Sequence, residues 1–200
     1  GPLSHHEHLR VAYPPLRGLL AQVRPLPDLV AQPLPVAEAV TKIVVGQMLS
    51  RAAADTIYAR LTSLRDRRQL AGCWQLAEEE LLHCGLSRRK VLTVREFAAC
   101  YKRDPASIEA WRSLDYPELS GAVASHWGLS QWSADMLAIF YFAKPDVFPA
   151  TDGTIVRVRR ILEETQLQGP LQPELARPFR TSLARYMWAF LDEGHLSHLR

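Results

Sequence analysis

"VFPATDGTIVRV", Val147 to Val158, runs from an apolar stretch through a proline to an aspartate, and then into a segment that reads as a helix. After Asp152, the residues Ile155, Val158, Ile161 and Leu162 recur at helical spacing. An aspartate just before such a run caps the helix. Its carboxylate accepts hydrogen bonds from first-turn amides that have no partner inside the helix. Capping is therefore the ordinary reading of Asp152, and the flanking sequence decides whether the carboxylate has a second task.

Outward from this seam the 3.6-residue period dominates and no convincing strand pairs occur, so the chain is expected to be all-α. "PVAEAVTKIVVGQMLS" opens with Pro35 in a first-turn position, and "RAAADTIYARLTSL" reads as a second helix. "WQLAEEELLHCG" is closed by Gly85, and "SRRKVLTVREFAACYKRD" begins with Ser87 as an N-cap. Two short helices, "PASIEAWRSL" and "YPELSGAVASHWG", each start at or near a proline, and "SQWSADMLAIFYFA" is apolar enough to be buried. A final helix is expected from about Glu174 to Asp192, with Pro178 in its first turn or breaking it. Before Pro35 the chain is proline-rich and reads as short helical pieces joined by turns.

With 48% apolar and 22% charged residues, the chain can build a real core. No apolar run approaches the roughly 20 residues that span a bilayer. No signal peptide is read at the start, where "GPL" looks like a protease remnant. The net charge of +3 is mild, but arginines cluster at Arg65–Arg68, Ser87–Lys90 and Arg157–Arg160. Such clusters are solvated faces by default, and on one shared surface they would suit a polyanion. Cys73, Cys84 and Cys100 are odd in number and widely spaced, which fits a reducing cytoplasm better than disulfides or a metal site. His5, His6 and His8 fall in a tail expected to be mobile, and His195 with His198 makes only two ligands, so no metal is expected.

In "HWGLSQWSADML", His126 to Leu137, one helix ends, Gly128 makes a turn, and another helix starts after Ser130. Such a turn directs backbone N–H groups outward, where with a helix N-terminus they can hold a phosphate. Together, "GLSQWSADML", "KPDVFPATD" and "DGTIVRV" resemble the hairpin and following aspartate of the helix-hairpin-helix DNA glycosylase superfamily. Upstream, "VTKIVVGQMLSRAAADTIYARL" and "LLHCGLSRRKVLTVREFA" are similar to its early helices. "RPFRTSLARYMWAFLD" resembles the closing helix of short AlkA-like 3-methyladenine glycosylases. The similarity runs from about Pro35 to Asp192.

The resemblance implies two helical subdomains with a helix-hairpin-helix motif and a cleft between them: residues 35–144 as a helical barrel, and 1–34 plus 145–200 as a second subdomain. It assigns Asp152 as the catalytic carboxylate. Trp132, Trp188 and Met136 would line the base pocket, and Gln47 and Met48 would enter the base stack. Gly128, Ser130, Gln131 and Ser133 would bind phosphate. Ser130 stands where the hairpin usually has a second glycine, and a left-handed backbone there would strain it. Family members that also cut the strand carry a lysine at position 132, so Trp132 implies a monofunctional enzyme in which water attacks.

The implied partner is double-stranded DNA containing a damaged base, expected to be an alkylated purine, bound by a monomeric protein associated with a bacterial nucleoid in the cytoplasm. Alternatives at this point are another base, such as mismatched uracil or a modified pyrimidine, or a DNA-binding protein without turnover. No cofactor is implied beyond a monovalent cation at the hairpin. No cysteine lies beyond Cys100, so the C-terminal iron–sulfur cluster of one branch is not expected.

Overall fold

The computed structural model describes residues 4–199, so the "GPL" remnant lies outside the described residues. In chain order the α-helices are α1 (His5–Ala12), α2 (Arg17–Gln22), α3 (Val36–Gly46), α4 (Arg51–Arg67), α5 (Glu78–His83), α6 (Arg88–Arg103), α7 (Pro105–Glu109), α8 (Tyr116–Ala124), α9 (Gln131–Met136), α10 (Gly153–Leu162) and α11 (Arg180–Asp192). Among the described residues there is no strand. None of their helices is long and apolar enough to cross a membrane. Starts are set by local chemistry: Ser4, Ser50, Ser87, Asp104 and Asp152 each accept an amide from three residues on. Each such cap contributes about 1 kcal/mol.

The chain divides into two compact units: one runs to Val30 and resumes at Ala143, and the other is Ala31–Phe142. In the first, Leu9, Leu20, Ile155, Leu183 and Phe190 close a core between α1, α2, α10 and α11. The N-terminal histidines belong to this packing instead of trailing from it. His5 Nδ1 meets Ser182 Oγ at 2.7 Å and its ring stacks on Phe179, while His6 Nδ1 meets the Tyr186 hydroxyl at 3.0 Å. Ser4 caps this helix, and its partners lie far away in sequence on α11, so no local pattern announces the contact.

The last helix starts at Arg180, later than its periodicity suggests. Pro173–Ala176 forms a separate 3-10 turn, and Pro178, without an amide hydrogen, stands between the two pieces. The first turn of α11 holds the strip leading to Asp152. Thr181 Oγ1 donates to Lys144 O (2.7 Å) and accepts from Val147 N (2.9 Å), while Thr181 N donates to Pro145 O (3.1 Å). Asp146 pairs with the Arg180 guanidinium at 2.9 and 3.2 Å and accepts its backbone amide at 3.1 Å.

The second unit is built around α3, which is buried along nearly its whole length. Its one buried acid is satisfied: Glu38 accepts from the Tyr58 hydroxyl (2.5 Å) and from Cys73 N (2.7 Å), tying α3 to α4 and to the turn at residue 73. Over "SQWSADMLAIFYFA" the backbone is α-helical only to Met136 and widens to a π-helix over Leu137–Tyr141. The stretch is buried as its apolar character predicts, apart from the exposed Phe140 and its ends.

Candidate active site

A turn in which Asp152 N donates to Pro149 O (3.0 Å) delivers Asp152 to the N-cap of α10. Two donors converge on its Oδ1: Ile155 N at 3.0 Å and the Trp188 indole Nε1 at 3.1 Å. The first is the cap. The second comes from α11, the same helix that pins residues 144–147, and Trp188 is half-buried against the core of this unit. A half-buried carboxylate held from two directions at one oxygen has its plane fixed, which a reacting group needs and a simple cap does not.

Trp132 and Met136, four residues apart and so on one face of α9, line a cavity of about 370 Å³ in the second unit. Lys42, Tyr58, Phe140 and Tyr141 share it, with the Lys42 ammonium 5.1 Å from the Tyr58 ring centre. Trp188, the third residue expected to line the base pocket, lies in the unit of Asp152 and donates to that carboxylate.

Gln47 and Met48 follow the end of α3. Met48 has φ of 62° and is 96% exposed, so it is no core methionine. A left-handed backbone is uncommon for a residue with a side chain. It is held from below: Lys90 Nζ, from α6, donates to Val45 O (2.9 Å) and Gln47 O (2.6 Å). Burial pushes the Lys90 ammonium below the usual lysine range.

The hairpin joins α8 to α9. Gly128 has φ of 80°, and a Cβ there would lie 2.1 Å from Thr93 Oγ1, so conformation and space both demand glycine. The strain expected at Ser130 does not arise, because its φ of −131° is extended and Gly128 makes the left-handed turn. Ser130 N donates to Ser133 Oγ at 3.2 Å, and Ser133 is 3% exposed. Ser133 therefore shapes the turn from inside and does not present its side chain to a ligand. Ser130 and Gln131 are exposed, and Trp127 in the same turn lies under Arg89, 5.1 Å from the guanidinium. Arg51, Arg88 and Arg89 stand exposed in the first turns of α4 and α6, where the helix dipole ordinarily favours acids. Among the described residues no group of three or more His, Cys, Asp or Glu is placed to hold a metal ion.

The chain is 29% identical over 161 residues to DNA-3-methyladenine glycosylase 1 of Schizosaccharomyces pombe, covering 76% of this chain and 70% of that protein. It is 25% identical to the DNA-3-methyladenine glycosylase of Saccharomyces cerevisiae over 169 residues, covering 75% of this chain and 55% of the yeast protein. The solved structure of the S. pombe enzyme in complex with abasic DNA superposes with a TM-score of 0.72 at 23% identity, over 94% of this chain and 96% of that one. In sequence and fold the chain resembles 3-methyladenine glycosylases of the helix-hairpin-helix DNA glycosylase superfamily. No protein-family model matches it. A 3-methyladenine glycosidase from Bacillus halodurans shares the same fold, with a TM-score of 0.72 at 18% identity over 94% of this chain and 89% of that one.

Within this glycosylase fold, two features were not readable from sequence. The Trp188–Asp152 bond spans 36 residues. Lys90 sits in a basic cluster whose sequence gives no sign that one member turns inward.

Proposed function

We propose that the chain is a monofunctional DNA glycosylase that removes alkylated purines from double-stranded DNA as a monomer. The observation that carries this reading is the half-buried Asp152 carboxylate, held at one oxygen by Ile155 N and Trp188 Nε1, in a chain that resembles this superfamily. As the bond from C1′ to the base lengthens, positive charge builds on the sugar, and a preorganised carboxylate stabilises it. Water then forms the new C1′–O bond as the C1′–N bond breaks and its electrons leave with the base. The proton shed by the water passes to the carboxylate or to solvent. A purine made cationic by alkylation departs neutral and needs no acid to protonate it.

Trp132 has no amine to form a Schiff base, so the product is an abasic site in an uncut strand. A base inside a duplex must be extruded to react. In this reading the exposed Met48, with Gln47, fills the gap left in the stack. Trp132 and Met136 offer walls to the extruded base. Gly128, Ser130 and Gln131 present the hairpin turn to a phosphate. A monovalent cation at the hairpin belongs to the proposal as well. Backbone carbonyls of the hairpin turn are neutral oxygen donors of the kind such an ion takes, and no step of the reaction uses it.

The test is a panel of duplexes, each with one lesion, scored for alkali-labile sites with wild-type protein and with Asp152→Asn. Excision of alkylpurines by the wild type alone is the expected result. Wild-type protein that binds abasic duplex but releases no base from any alkylated duplex would overturn the reading in favour of a non-catalytic DNA-binding protein.

A further inference from the structure

The carbonyls at a helix C-terminus lack partners within the helix and carry the negative end of its dipole. At the end of α3 an ammonium group answers both needs: Lys90 Nζ takes Val45 O at 2.9 Å and Gln47 O at 2.6 Å. The second contact falls on the residue immediately before Met48, whose left-handed backbone lifts a 96% exposed side chain off the surface. Ser50, two residues further on, caps α4 through Ala53 N at 3.2 Å, so the turn is secured on its far side as well. The same end of α6 also supports the hairpin, through Arg89 over Trp127 and Thr93 against Gly128. One turn of α6 thus touches both the Met48 turn and the hairpin turn.

We infer that Lys90 is a positioning residue that holds the Gln47–Met48 turn so that Met48 can enter the base stack at a set distance from the hairpin. Lys90 touches neither base nor sugar and acts through the backbone of the turn. The inference rests on the glycosylase reading, which gives Met48 its task.

A double-mutant cycle tests it. Lys90→Met, Met48→Ala, the double variant and Lys90→Arg are compared with wild type in two assays: single-turnover excision from a duplex with one 7-methylguanine, and fluorescence of 2-aminopurine beside an abasic analogue. Each single substitution is expected to slow excision about tenfold and to abolish the fluorescence rise on binding. The double variant should fall no lower than the slower single, because residues acting as one unit are non-additive. Lys90→Arg, which keeps a cation able to meet two carbonyls, should recover most of the loss. Losses that multiply in the double variant, or a full fluorescence rise with Lys90→Met, would overturn the inference. If wild type excises while Met48→Ala matches it, the inference falls and the glycosylase reading stands. If wild type neither excises any alkylated base nor unstacks the probe, both fall together.

Discussion

Asp152 and Met48 are both placed by helix ends, but by opposite ends and in opposite ways. Asp152 sits at the N-terminus of α10 with its side chain bonded to Ile155 N and Trp188 Nε1. Met48 sits past the C-terminus of α3 with its backbone secured through Lys90 and its side chain 96% exposed. Under the proposed function, the difference follows from what each must do. A carboxylate facing a developing charge is useful only if its oxygens are already oriented. An apolar side chain entering a stack needs a fixed base and a free tip, and the unbranched, flexible methionine suits that. In that reading one site fixes the reacting group, and the other fixes only the backbone that carries the inserted side chain.

The sharpest way to break this contrast is Asp152→Asn. It keeps the shape and an acceptor for both donors but removes the charge. Single-turnover excision should fall about a thousandfold, the scale of losing one preorganised electrostatic contact. Affinity for an abasic duplex should change little. An active Asn variant would make Asp152 merely a cap. The next largest effect concerns the two left-handed turns. Met48 has open space around it, whereas a Cβ on Gly128 meets Thr93 Oγ1 at 2.1 Å. Gly128→Ala should destabilise the fold by about 3 kcal/mol in denaturant titration, from the left-handed backbone and overpacking together. Thr93→Ala should restore part of that and leave the backbone cost.

Trp188→Phe tests whether the second donor on Asp152 matters. Removing a hydrogen bond to a charged group costs about 1.5–3 kcal/mol, so excision should slow about tenfold or more, with duplex affinity held. An unchanged rate would leave Trp188 a packing residue. This contact also shows where the sequence stops being informative. The all-helical class, the cap at Asp152 and the turn at Gly128 were legible because each depends on residues within a few positions. The partner of Asp152 is set by how α11 lies against α10, and no local pattern encodes that. Met48 reads equally well as core, because a positive φ outside glycine leaves no mark in the sequence. The N-terminal histidines read as a loose tail because Ser182 and Tyr186, which hold them, lie near the other end of the chain. The strain expected at Ser130 comes from placing a second glycine-type turn there, whereas Gly128 alone of the two has the left-handed backbone.

The smallest effect asks how far the rigidity of the Asp152 side extends back along the chain. Burial pushes the Asp146 carboxyl upward, but its bonds to the Arg180 side chain and amide outweigh this and hold it below the usual aspartate range. A folded-state value below the unfolded one means stability that is complete above the unfolded value, near pH 4, and lost as pH falls through the folded one. Arg180→Met should therefore lower stability at neutral pH by about 1 kcal/mol, a modest figure because both side chains keep some contact with water. The gap between variant and wild type should begin to narrow as the pH drops below about 4 and vanish only below the lowered folded-state value, where both proteins carry the protonated acid. Excision offers the more telling measurement. Arg180 and Trp188 hold the strip from Asp146 to Asp152 at two points along one helix, so loosening the first point should slow excision less than removing the second. If Arg180→Met slowed excision more than Trp188→Phe, the geometry of Asp152 would be governed by the strip leading to it, and the contrast with the backbone-held turn at Met48 would largely disappear.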